Sequence, residues 1–152
     1  MSGRLIAIGD IHGCTQALDT ILATIGLESD DTFVTLGDYV DRGPDSKGVI
    51  DRLIALRSQC NLVPLFGNHE EMMLDVVRDG QPPYRWLQYG GVETLDSYRF
   101  AGTWMSFLRS IAISSLRCST TTRPTNISSY MPITIPSLRL PNNLGNCYVG
   151  RS

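Results

Sequence analysis

Seven residues in the first seventy carry groups suited to holding a cation or handling a proton: Asp10, His12, Asp38, Asp41, Arg42, Asn68 and His69. They fall in three short stretches, GDIHG at 9 to 13, GDYVDRG at 37 to 43 and GNHE at 67 to 70, separated by similar intervals. Two carboxylates, an imidazole and a carboxamide oxygen brought to one place suit divalent metals of intermediate hardness such as Mn, Fe or Zn. Asp38, in the central stretch, is placed to bridge two ions. His69, between an amide and a carboxylate, reads as active-site chemistry, yet the chain has only two histidines in all. Such a site needs more imidazoles than His12 and His69 provide.

The elements that must position these groups follow from the apolar pattern. RLIAIGD, TFVTLGD and NLVPLFGN are short apolar runs that each end in glycine and a polar residue, the pattern of a buried strand stopped by a turn. Between them, Ala17, Leu18, Ile21, Leu22 and Ile25 recur at helical spacing, as do Val49, Ile50, Leu53, Ile54 and Leu56 after a Pro44-Asp45-Ser46 start signal. The order is β-α-β-α-β. Right-handed crossovers make the strands parallel and bring their polar ends to one edge of the sheet, where ligands bind in α/β folds. The glycines of the three stretches give the backbone freedom that tight turns at strand ends require. A single Gly-Asp pair is ordinarily a strand-to-helix turn whose Asp caps the next helix. Three strand ends that each carry ligand-type residues point instead to a site.

At 152 residues the chain has the size of one domain with a sizeable core. Its apolar runs are too short to span a bilayer and its start lacks a secretory pattern, so a cytoplasmic location is expected, with no membrane partner. Cys14, Cys60, Cys118 and Cys147 form no CxxC pair and read as reduced thiols. The net charge of −2 hides a division. Residues 1 to 100 hold all 15 acids and 8 bases, for 8 − 15 = −7, whereas residues 101 to 152 hold five Arg and no Asp, Glu, Lys or His, for +5. That second stretch is rich in Ser, Thr, Pro and Asn and has little periodicity. Five scattered arginines without clustering do not make a nucleic-acid footprint. Arg52, Arg57, Arg78 and Arg85 are expected on solvated helix faces, and Met72-Met73-Leu74 in the core.

GDIHG, GDYVDRG and GNHE, in this order and at these separations, resemble the calcineurin-like metallophosphoesterases, and GDYVDRG resembles their phosphoprotein phosphatase branch. WLQYGGVETLDSY at 86 to 98 is similar to bacterial serine/threonine phosphatases of that branch, so the resemblance covers residues 4 to 110. It implies an α/β/β/α sandwich, of which only the β-α-β-α-β half is clearly encoded. It also implies two divalent ions, Mn foremost, with Asp10, His12 and Asp38 on one and Asp38 and Asn68 on the other. Substrate phosphate would meet Arg42, Asn68 and His69. Arg42 would grip it with its planar fork, and His69, oriented by Asp41, would protonate the leaving alkoxide. The implied activity is hydrolysis of phosphate monoesters by a metal-bridging hydroxide, on a phosphoprotein or a small phosphoester. Diadenosine tetraphosphatases share the three stretches and form the alternative, as does a noncatalytic metal- or phosphate-binding fragment.

The tail departs from the family, whose members complete the second metal with histidines on an FVHA-type strand and a GHT-type loop. Neither is present. However, codons permitted by ISSYMPITIP at 127 to 136, regrouped one base earlier, read IFVHANYD. The same regrouping gives a tyrosine-rich stretch with ETD from 120 to 126 and a run containing LLRW from 144 to 150. The hypothesis is a reading-frame slip between about Arg109 and Cys118. On that reading residues 1 to 110 are the N-terminal part of a phosphoesterase domain and residues 111 to 152 an out-of-frame tail, and activity is expected to be impaired. The nucleotide sequence decides it: no CAT or CAC in the shifted register at this place would end the idea.

Overall fold

Four-residue segments at the centres of the three apolar runs form the strands of a computed structural model, which describes residues 3–100 with Gly102, Phe107, Ile133–Thr134 and Tyr148–Val149. The order is β1 (Leu5–Ile8), α1 (Thr15–Ile25), β2 (Thr32–Thr35), α2 (Ser46–Leu56), β3 (Asn61–Pro64) and α3 (Asn68–Val77). Next come α4 (Tyr84–Trp86), a kinked turn over Leu87–Gly91 and α5 (Val92–Ser97). The strands pair in parallel in the order β1-β2-β3, with Ile6, Phe33 and Leu62 in one row. This is the α/β architecture expected, with each crossover made by a helix. The segments β4 (Ile133–Thr134) and β5 (Tyr148–Val149) form a separate antiparallel pair. The rest of the tail, including most of the 111 to 152 division, lies outside the described residues.

The helices cover one face of the sheet. Phe33, Val49, Ile50 and Leu53 are fully buried, Leu18, Leu22 and Leu56 nearly so, and each such side chain contributes about 1.5–3 kcal/mol by leaving water. Met72 and Met73 are core residues as expected, with Leu74 packed against them. Asp45 caps α2 by accepting from the Gly48 amide at 2.8 Å, in agreement with the Pro44-Asp45-Ser46 signal.

Two expectations need correction. β1 is not a buried strand: Leu5 is 61% exposed and Ala7 is also exposed, because only the Ile6 and Ile8 face turns toward the helices and the opposite face is uncovered among the described residues. The apolar stripe of α1 is likewise only half used, with Leu18 and Leu22 inside and Ile21 39% exposed. What anchors this edge is polar. Arg4 donates from its backbone (2.8 Å) and its guanidinium to Asp31, and reaches the Gly26 carbonyl at the end of α1 at 2.8 Å. Hydrogen bonding from Arg4 holds the Asp31 carboxyl well below the usual carboxylate range.

Candidate metal and phosphate site

The loops that leave β1, β2 and β3 at their carboxyl ends are where the backbone does something unusual. Asp10 (φ 52°), His12 (42°), Asp38 (55°), Asp41 (72°) and Arg42 (67°) all adopt left-handed conformations, and Arg99 is the one other described non-glycine residue to do so. Such residues are a few per cent of non-glycine positions and each costs about 1–3 kcal/mol unless its surroundings enforce it. Five of seven candidate residues sharing this state means that the loops are held for the sake of where their side chains go. Neither Asp10 nor Asp38 caps a helix: α1 has Cys14 at its cap and α2 has Asp45. The ordinary explanation of a Gly-Asp turn therefore does not apply here.

Asp10, His12 and Asp38 each offer a donor atom, and these atoms lie within 4.8 Å of one another. His12 Nδ1 lies 2.9 Å from the Val40 carbonyl, which can only accept, so the proton sits on Nδ1 and Nε2 keeps its lone pair. An imidazole whose proton is fixed on one nitrogen, leaving a lone pair on the other, is the form that ligates metal. Two carboxylates and one such imidazole fit a divalent ion of intermediate hardness. Asn68 is the exposed first residue of α3, directly beside the Asp38 loop, since the His69 amide donates to Asp38 Oδ1 at 3.1 Å. The approach of these loops leaves no room for a side chain at the crossing, because a Cβ on Gly37 would strike the Gly67 backbone and one on Gly67 the Asp38 carboxylate.

The second group lies against the first. His69 is buried with Nδ1 2.8 Å from Asp41 Oδ2, and its Nε2 is 3.1 Å from Arg42 Nη2, which can only donate. His69 therefore stands as the neutral Nδ1–H tautomer. Arg42 Nη1 lies 3.1 Å from His12 Nε2, so one guanidinium spans both imidazoles, whose ring centres are 4.7 Å apart. Asp41 is fully buried, and burial raises its pKa against the opposing pull of the hydrogen bonds from His69, Thr94 and Trp86.

Three residues that hold this site carried no assigned role in the sequence reading. Glu70 is fully buried and accepts from four backbone N–H groups: Asp38 at 2.7 Å, Tyr39 at 2.8 Å, Gly67 at 2.9 Å and Val40 at 3.2 Å. One carboxylate thus ties the second loop to the third. Burial pushes it up to about 7 while those four amides pull it down. Trp86 and Thr94 both donate to the Asp41 carboxylate. The available signal was their membership of GNHE and WLQYGGVETLDSY, which marked the stretches without saying what each residue touches.

Residues 3–137 match the model of the calcineurin-like phosphoesterases. The chain belongs to that family. Over 82 residues it is 43% identical to the symmetrical bis(5'-nucleosyl)-tetraphosphatase of Acidovorax sp. (strain JS42), covering 53% of this chain and 28% of that protein. It is 39% identical over 85 residues to serine/threonine-protein phosphatase 1 of Salmonella typhimurium, covering 55% and 37%. A Legionella pneumophila symmetrical bis(5'-nucleosyl)-tetraphosphatase is 39% identical over 77 residues, covering 50% and 27%. The chain thus spans well under half the length of these relatives. Its described residues include a candidate ligand group for a divalent metal.

Proposed function

We propose that these residues form one side of a metal-dependent phosphatase site, with Asp10, His12 and Asp38 on a first divalent ion and Asp38 and Asn68 toward a second, Mn being the metal of choice. Bound ions of this kind acidify water and neutralise phosphate charge. This chain's own groups supply the rest. Arg42, exposed on a strained loop between His12 and His69, offers two parallel N–H donors to phosphate oxygens. His69, oriented through Nδ1 by Asp41, presents Nε2 to the site; once protonated there, it donates that proton to the leaving oxygen while the buried carboxylate stabilises the imidazolium. The observation that carries this reading is the convergence of the Asp10, His12 and Asp38 donor atoms within 4.8 Å.

The substrate we favour is phosphoserine or phosphothreonine in a protein, on the likeness of WLQYGGVETLDSY to bacterial phosphatases of that kind. A dinucleotide polyphosphate is the second reading, favoured by the names of two of the relatives above. Among these 152 residues the second ion has only Asp38 and Asn68, since His12 and His69 are the only histidines, so weak binding there and low turnover are expected. Calorimetry with Mn²⁺ on the wild type and on Asp38→Asn tests the site. The substitution should weaken binding roughly tenfold or more, and unchanged affinity would remove Asp38 from the site. Turnover of p-nitrophenyl phosphate, a phosphopeptide and diadenosine tetraphosphate, run side by side on the 152-residue and frame-restored chains, separates the two substrate readings and the effect of the tail.

A further inference from the structure

The segment 84–97 meets the acid pair formed by His69 and Asp41 at three points, all of them on Asp41. Trp86 Nε1 lies 2.9 Å from both Asp41 carboxylate oxygens. Thr94 Oγ1 donates to Asp41 Oδ1 at 2.7 Å and accepts from the Asp41 amide at 2.8 Å, so a single hydroxyl grips both the backbone and the side chain of that residue. Ser46 Oγ completes the arrangement, 2.9 Å from Thr94 Oγ1 and 3.1 Å from the Asp41 amide. With its own proton spent on Asp41, Thr94 must receive the one from Ser46. The next residue is held as well: the Arg42 amide donates to the Gly90 carbonyl at 3.1 Å.

The kink explains how one short segment reaches all of these. At Gly90 the helix breaks (φ 105°, ψ 15°), which turns the Gly90 carbonyl toward Arg42 and leaves α4 and α5 to deliver Trp86 and Thr94 from its two sides. A Cβ at Gly90 would strike the Arg42 backbone, and one at Gly91 would enter the Trp86 ring. Asp41 and Arg42 are also the two successive residues with the largest left-handed φ among the strained five. Two adjacent unfavourable conformations persist only where external contacts enforce them.

We infer that Trp86 and Thr94, with the Gly90 carbonyl, are positioning residues for the acid pair: they lock the Asp41 carboxylate so that its remaining acceptor direction fixes His69 in the Nδ1–H form with Nε2 turned to the site. The catalytic half of this statement rests on the phosphatase reading above; the positional half does not. The experiment reads the tautomer directly. Nitrogen-15 NMR of the imidazoles in the 152-residue chain has only two histidines to resolve, and His12, bonded to Val40, is the internal reference.

Thr94→Val and Trp86→Phe, which remove a hydroxyl and an indole N–H at similar shape, should each cost His69 its slowly exchanging Nδ1 proton and shift its population toward Nε2–H. His12 should not move. Thr94→Ser, which keeps the hydroxyl, should restore the wild-type signal and shows that a response is not general loosening. A His69 tautomer and Nδ1 proton unchanged in the Thr94→Val, Trp86→Phe double variant would overturn the inference, as would an equal response of His12. Absence of phosphoester turnover by the frame-restored chain alongside an intact tautomer response would count against the phosphatase reading and leave the lock in place.

Discussion

At the scale of single residues, the polar groups that converge were legible because they sit at strand ends beside glycine, where a chain turning sharply has no packing reason to spend aspartate and histidine. The residues that hold them were not legible, since their partners are set by three-dimensional contact. Glu70 is the clearest instance. Its neighbours in GNHE suggested chemistry, whereas its carboxylate faces away from solvent and collects four amides from two loops. Glu70→Gln exchanges one oxygen for a donor that confronts two N–H groups, and it should lower stability by on the order of 3 kcal/mol in urea denaturation. Because the Asp38 amide is among the four, Mn²⁺ affinity should fall with it. A denaturation midpoint equal to that of the wild type would mean the loops do not depend on this acceptor.

At the scale of elements, alternating apolar runs and helical repeats announced β1 through β3 in their correct order, and the cap at Asp45 followed from sequence. What the pattern could not reveal was which apolar residues meet a partner, because Leu5 and Ile21 belong to the same repeats as Ile6 and Leu22 and differ only in the side they face. The break at Gly90 was equally hidden, a glycine pair inside a helical stretch giving no sign that a carbonyl would be turned outward. The edge of the sheet depends on the Arg4 and Asp31 pair, and this has a pH signature. Asp31 titrates lower in the folded chain than in the unfolded one. Its contribution is therefore complete above the unfolded carboxylate range near 4, starts to fall below it and is lost only as pH passes through the lower folded value. Urea midpoints of wild type and Asp31→Asn should differ most at pH 6 to 7, and the gap should begin to narrow toward pH 3. A gap that stays constant across that range would assign the effect to packing.

At the scale of the whole molecule, the helix-covered face of the sheet buries Phe33 and Leu62 while the opposite face carries Leu5 at 61% and Leu36 at 52% exposure, and β1 and β3 have free edges among the described residues. Exposed apolar surface next to unpaired strand edges favours association. Sedimentation of the 152-residue chain should show concentration-dependent association that Leu5→Lys with Leu36→Lys reduces; an unaltered profile would place the contact elsewhere. The Thr94 lock has a consequence for synthesis. Asp41 leaves the ribosome 53 residues ahead of the hydroxyl that secures it, an interval of roughly 3–10 s at ordinary elongation rates. In the later part of that time, once α2 and β3 have followed, the three strands and both early helices have everything needed to form except the clasp on their most contorted bend, so whatever assists this protein during translation meets the bend before it is fastened.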